Sequence, residues 1–294
     1  MGAIYKREVK SYFSSMLGCV MIALTLAFIG FFVVILNVRG LRPNFEYSLV
    51  FSVEYWVFTL IIPFITMRSI AEERHSKTEQ LLLSLPIPIC KIVLAKYFAM
   101  LTVIGTPVVI TGIYPIIYSL FSQTKAVNFS TAYNGWFLLL LVVAAMTAVG
   151  MFISSLVENQ IIAAVLSVGV FFILSFMSTI AYAIPGTPAV SLVACILLAA
   201  VFGALVLAMT KNSTAACIAT GVPSVVMLII FIVKKSLFSG LFPSILNSLS
   251  FFDYYIYGGA LLGYFDVKAV VFYISFIFVF VFMTVEFMER RRYN

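Results

Sequence analysis

The chain has little charge. Only 10% of its 294 residues are Asp, Glu, Lys or Arg, and there is a single histidine. One histidine, with no second His and no Cys near it, excludes a His-based metal site. It also argues against an integral-membrane enzyme acting on lipid, which needs convergent His, Asp or Glu. The four cysteines, Cys19, Cys90, Cys195 and Cys217, lie in or beside apolar runs without CxxC spacing. They read as span packing rather than as metal or disulfide sites. There is no G-x-x-x-x-G-K-[ST] loop, G-x-S-x-G elbow, H-E-x-x-H helix or Gly-rich dinucleotide turn, so the chain is read as carrying no ATPase or other catalytic site. The cations do not cluster on a basic surface with aromatic platforms, which excludes nucleic acid as a partner.

What the chain has instead is hydrophobicity. Apolar residues make up 63% of it, mean hydropathy is +1.15, and several runs exceed the ~20 residues that cross a bilayer. They are continuously apolar and lack the alternation of a barrel wall. The fold class is all-α: a polytopic helical membrane protein with the lipid bilayer as its surroundings. Eight spans are expected, at about 16–37, 50–67, 90–121, 135–156, 161–183, 189–210, 214–233 and 268–287. A six-span alternative treats the two middle runs as something other than crossings. Gly105, Pro107, Gly112 and Pro115 predict a kink or tilt in the third span.

Before the first span, Lys6, Arg7 and Lys10 alternate with Ile4, Tyr5, Val9, Tyr12 and Phe13. This pattern predicts an interfacial amphipathic helix over 1–13, drawn to anionic lipid, followed by a retained first span rather than a cleaved leader. Residues 14–294 read as a single transmembrane domain. Within it, 236–266 is an aromatic, half-polar stretch of interfacial or re-entrant character on the outer side. With the N-terminus inside, Lys6, Arg7, Lys10, Arg68, Arg74, Lys77, Lys91, Lys96, Lys211, Arg290, Arg291 and Arg292 face the cytoplasm. Arg39, Arg42, Lys125, Lys234, Lys235 and Lys268 then face out. Twelve against six puts both termini in the cytoplasm.

The charge that exists is concentrated. Seven of the Asp, Glu, Lys and Arg side chains fall between Arg68 and Lys91, with His75 among them. Glu72, Glu73, Arg74, Lys77 and Glu79 read as a short charged helix with a Glu73–Lys77 pair at i,i+4. The apolar run Leu81–Leu85 follows, and Pro86 and Pro88 stop it. A short helix at the membrane face, held between two spans, is suited to being pushed by a partner.

The stretch AEERHSKTEQLLLSLPIPICKIVLAKY resembles the cytoplasmic coupling segment of ABC-2 type transporter permeases, particularly the gliding-motility-type branch. Lys77 stands where that branch's pattern usually has Gly, and Ala95 where it often has Gly. The opening YKREVKSYFSSMLGCVMIALTLAFIGFF is similar to the family's elbow helix and first span, and Phe251–Arg292 to its closing segment. About 185–245 resembles no family segment. The resemblance implies a membrane permease subunit driven by a separate ABC ATPase that binds ATP and Mg, a second permease copy, accessory subunits in some systems, and a bacterial plasma membrane. It implies ATPase coupling through Glu72, Glu73, Arg74, Lys77, Thr78, Glu79 and Leu82, with Glu158 in the turn SSLVENQ as a second contact. Lys6, Arg7 and Lys10 become the membrane-surface elbow. Glu54, in the second span, either faces a partner, water or a pathway, or reaches the outer interface. Asp253 and Tyr254 form either a lid or gate, or part of an aromatic belt. The alternative class is a secondary transporter or channel without an ATPase.

Overall fold

A computed structural model of the chain describes residues 1–35, 47–78, 87–121, 128–210, 213–257 and 266–293. Among these the secondary structure is helical throughout, with no strand. Each apolar run is a helix or a helix pair. The helices are α1 (Gly2–Ser14), α2 (Met16–Val33), α3 (Tyr47–Thr66), α4 (Ala71–His75), α5 (Ile89–Thr111), α6 (Tyr114–Phe121) and α7 (Phe129–Leu156). Then come α8 (Gln160–Ser175), α9 (Met177–Ala183), α10 (Pro188–Thr210), α11 (Ser213–Val233), α12 (Leu241–Asn247), α13 (Phe251–Tyr255) and α14 (Val267–Tyr293). Among the described residues four stretches, Val50–His75, Ile89–Ile117, Phe129–Leu156 and Val267–Arg292, are long and apolar enough to cross a membrane, and counting three bent pairs as spans raises this to seven.

The breaks have local causes. Between α5 and α6 the Ile113 N–H turns back to the Ile110 carbonyl. Pro115, two residues on, has no N–H with which to continue the i→i−4 ladder. The helix breaks here, at Gly112 and Pro115, while Gly105 and Pro107 lie inside the unbroken α5. Between α1 and α2 the chain bends by 66°. Ser15 sits at the corner, donating to the Tyr12 carbonyl at 2.9 Å and accepting the Gly18 N–H at 3.4 Å.

Met1–Ile173 and Tyr254–Asn294 form one compact unit, and Leu174–Asp253 a second. In the first, α7 is the central helix, packed against α3, α5 and α14. Its inward positions are small or apolar, among them Gly135, Ala144, Ala145, Ala148 and Gly150, which lets neighbouring backbones come close. A Cβ on Gly135 would run into the Phe51 ring, and one on Gly150 would lie 2.5 Å from Thr66 Oγ1. α14 has 27 residues, about 40 Å of helix, so its basic last turn extends past a ~30 Å hydrocarbon layer.

In the second unit α10 packs on α11, and α12 packs on α9 and α10. The segment after α11 doubles back by 118° through a 3-10 turn, Lys235–Phe238, into α12. Gly240 makes that return with φ 71, a left-handed conformation that glycine adopts without cost. Its N–H donates to the Gly186 carbonyl at 3.0 Å.

Candidate coupling site

α4 is one and a half turns long, too short to be stable by itself. Its stability comes from α7. The Ser154 hydroxyl oxygen accepts the Ile70 and Ala71 N–H groups at 3.3 and 3.1 Å, and its proton goes to the Met67 carbonyl at 3.1 Å. A side chain from another helix thus satisfies donors that a helix start leaves open. Glu72 and Glu73 lie in the first turn, where the helix dipole favours acids. Arg68 holds Glu72 through two bonds, Nε to Oε2 at 2.7 Å and Nη2 to Oε1 at 3.0 Å.

Arg74 binds the far end of α7. Its Nη1 donates to the Ser155 carbonyl at 3.0 Å and its Nη2 to Glu158 Oε1 at 2.8 Å. The guanidinium side chain is 7% exposed while Glu158 is 76% exposed. Arg74 is therefore part of the packing, and Glu158 is the surface group of that pair.

The centre of the site is Lys96, on α5 and 1% exposed. Its ammonium has three protons and three acceptors: Glu73 Oε1 at 2.7 Å, the Ser69 carbonyl at 2.9 Å and Glu8 Oε1 at 3.4 Å. Arg7 completes the cluster, 2.8 Å from Glu8 and 3.7 Å from Glu73. A buried ammonium is tolerable only when paired and fully hydrogen-bonded, and here α1 and α4 supply the pairing. Tyr5 and Tyr12 add neutral ties, Tyr5 to Thr102 at 2.9 Å and the Tyr12 hydroxyl to the Ile65 carbonyl at 3.3 Å. Burial holds the Tyr12 phenol above its ordinary range, so it remains a donor.

The i,i+4 pair expected between Glu73 and Lys77 is replaced. Glu73 turns inward to Lys96, because α4 ends at His75 and Lys77 adopts φ 59. That left-handed backbone removes the helical geometry the pair needs. It costs a side-chain-bearing residue about 1 kcal/mol relative to glycine. Lys77→Gly is accordingly expected to stabilise the end of α4 by about that amount, read as slower amide exchange at Arg74–Lys77; unchanged or faster exchange would contradict this.

His75, Lys77 and Thr78 are exposed, with the Thr78 and Ser76 hydroxyls 2.9 Å apart. Glu79 and Leu82, with Leu81, Leu83 and Leu85, lie outside the described residues. On α1, Lys6 and Lys10 are exposed and Arg7 is bound into the cluster. Glu54 is 3% exposed, so it is enclosed by protein. Asp253 and Tyr254 adjoin on α13; the Asp253 N–H is held by Ser250 Oγ at 3.3 Å, and Tyr254 stacks on Phe272 at 4.5 Å. Lys96, Glu8 and Ser154 were not among the expected site residues, though a lysine inside ICKIVLAKYFAM is a signal that something must pair with it. Arg292 Nη1 reaches the Ile87 carbonyl at 3.4 Å. Both chain ends therefore lie at the face that carries α4. Among the described residues no group of His, Cys, Asp and Glu could hold a metal ion.

Apolar helices with a surface helix docked beside a charged turn define an all-α, multi-pass membrane protein. The chain belongs to the ABC-2 family transporter proteins, whose family model matches residues 40–233. The match includes most of the middle stretch for which no resemblance was found, and it leaves outside it the two ends on which much of the resemblance rested. Comparison with curated proteins finds no match. Membership makes the chain the membrane permease component of an ABC-type transporter.

Proposed function

We propose that the chain is the permease subunit of an ATP-driven exporter of the gliding-motility-type branch, moved by a separate ABC ATPase that binds ATP and Mg. The observation that carries this reading is the Lys96 cluster. It ties the charged helix α4 to the elbow α1 and to the span α5 within a few ångströms. A push on α4 is thus passed to two other helices rather than absorbed in a loop. The left-handed Lys77, at a position where the branch pattern has Gly, supports the branch assignment.

On this reading Glu72, His75, Lys77, Thr78 and Glu158 face the ATPase, while Glu73 and Arg74 transmit its motion. Glu79 and Leu82 keep the coupling role implied by the resemblance. Both termini are cytoplasmic in a bacterial plasma membrane, eight helices or helix pairs span it, and a second permease copy completes the complex. Accessory subunits join in some assemblies. Glu54, Asp253 and Tyr254 line or close the path of an amphipathic or hydrophobic cargo.

The test is purification from native membranes, with mass spectrometry of what remains bound and an ATPase assay. A nucleotide-binding subunit is expected to co-purify, and Lys77→Glu is expected to reduce its retention several-fold while the permease still folds. If no ATPase associates with wild type, the exporter reading fails and a secondary transporter or channel replaces it.

A further inference from the structure

One buried carboxyl has no place in the coupling cluster. Glu54 on α3 is 3% exposed, and among the described residues no Lys, Arg or His pairs with it. It lines a cavity of about 20 Å³ together with Phe51, Thr111, Tyr114 and Trp136. That is room for about one water molecule. An unpaired carboxylate in such a place is costly, so its charge must be answered there.

The wall of the cavity shows how. A carboxylate needs donors, whereas a carboxylic acid needs one acceptor. The indole N–H of Trp136 is spent on the Val108 carbonyl at 2.7 Å, and the Thr111 hydroxyl donates to the same carbonyl at 2.9 Å. The Tyr114 hydroxyl lies against Gly30 of α2. Thr111 lines the same cavity as Glu54. With its own proton directed to Val108, its oxygen serves as an acceptor. The remaining titratable neighbour is Tyr255 on α13, a buried phenol without a hydrogen-bond partner, stacked on Tyr55 at 5.8 Å.

The geometry points to a proton-binding site within the membrane: Glu54 holds a bound proton, donated to Thr111 Oγ1, for as long as the cavity is closed. The proton leaves to water when the helices part and water enters. The closed and hydrated states of the bundle then differ by one proton, and alkaline conditions favour the hydrated state. None of this depends on the identity of the ATPase.

The test is infrared difference spectroscopy of the full-length protein in lipid bilayers at about pH 7, where a solvated glutamate is ionised. Wild type minus Glu54→Gln is expected to show the carbonyl stretch of a neutral carboxylic acid, moved by exchange into D2O. Thr111→Val is expected to shift that band by removing its acceptor, without abolishing it. If wild type and Glu54→Gln match in the acid region, Glu54 is ionised and the proposal is overturned. Arg39→Gln and Arg42→Gln would then show whether a loop arginine answers the charge. A band that Thr111→Val leaves unmoved overturns the assigned partner.

Discussion

Replacing Lys96 with methionine is expected to destabilise the first unit by about 3 kcal/mol, the usual range for removing one partner of a buried ion pair. Glu73 and Glu8 would be left facing each other and Arg7 across an apolar side chain. The loss is expected as a lower melting temperature in lipid nanodiscs and as faster amide exchange in α1. Glu73→Gln added to Lys96→Met is expected to recover part of the loss, since it removes the charge left behind. A Lys96→Met protein that melts with wild type and keeps α1 protected would show that the cluster does not hold the helices together. In the assembled transporter, the same variant is expected to hydrolyse ATP while moving little cargo, because α4 then moves without α1 and α5.

Gly150→Val is expected to cost about 1–3 kcal/mol, as overpacking does. The new Cβ would sit 2.5 Å from Thr66 Oγ1 and 3.0 Å from two further Thr66 carbons. Thr66 is the last residue of α3, with its hydroxyl already bonded to the Ile62 carbonyl at 3.0 Å, so it has little freedom to move aside. Pushing the end of α3 from α7 also pulls Met67, Ile70 and Ala71 from Ser154. The melting temperature and the exchange protection of α4 should therefore fall together. A fall in the first with the second intact would mean that α4 is held by something other than its Ser154 bonds.

Much of the fold is legible in the chain because long apolar runs permit little else. The runs at 50–67, 135–156 and 268–287 are each one continuous helix. The break after Thr111 is legible because Pro115 lacks the donor the ladder needs. The charged turn is legible because Arg68–Lys91 contrasts so sharply with its flanks. Its internal wiring is not. Glu73 stands four residues before Lys77, a local reason to pair them, but the partner it takes is 23 residues away in the chain. Glu8 and Lys96, 88 residues apart, have no local pattern to connect them. Ser154 is one of many small residues in α7, and its role depends on Gly150 letting α3 come close. Such contacts follow from how helices pack, which hydrophobic patterning restricts but does not determine.

The Lys96 cluster also bears on how the protein is made. Both carboxylates that hold the lysine precede it in the chain. As the polypeptide is synthesised and inserted, Glu8 and Glu73 reach the membrane surface before α5 does. A lysine entering an apolar helix alone is penalised during insertion; here its counter-charges are already waiting. The elbow leaves the ribosome before its seat exists, because that seat is not built until Lys96 and Thr102 arrive.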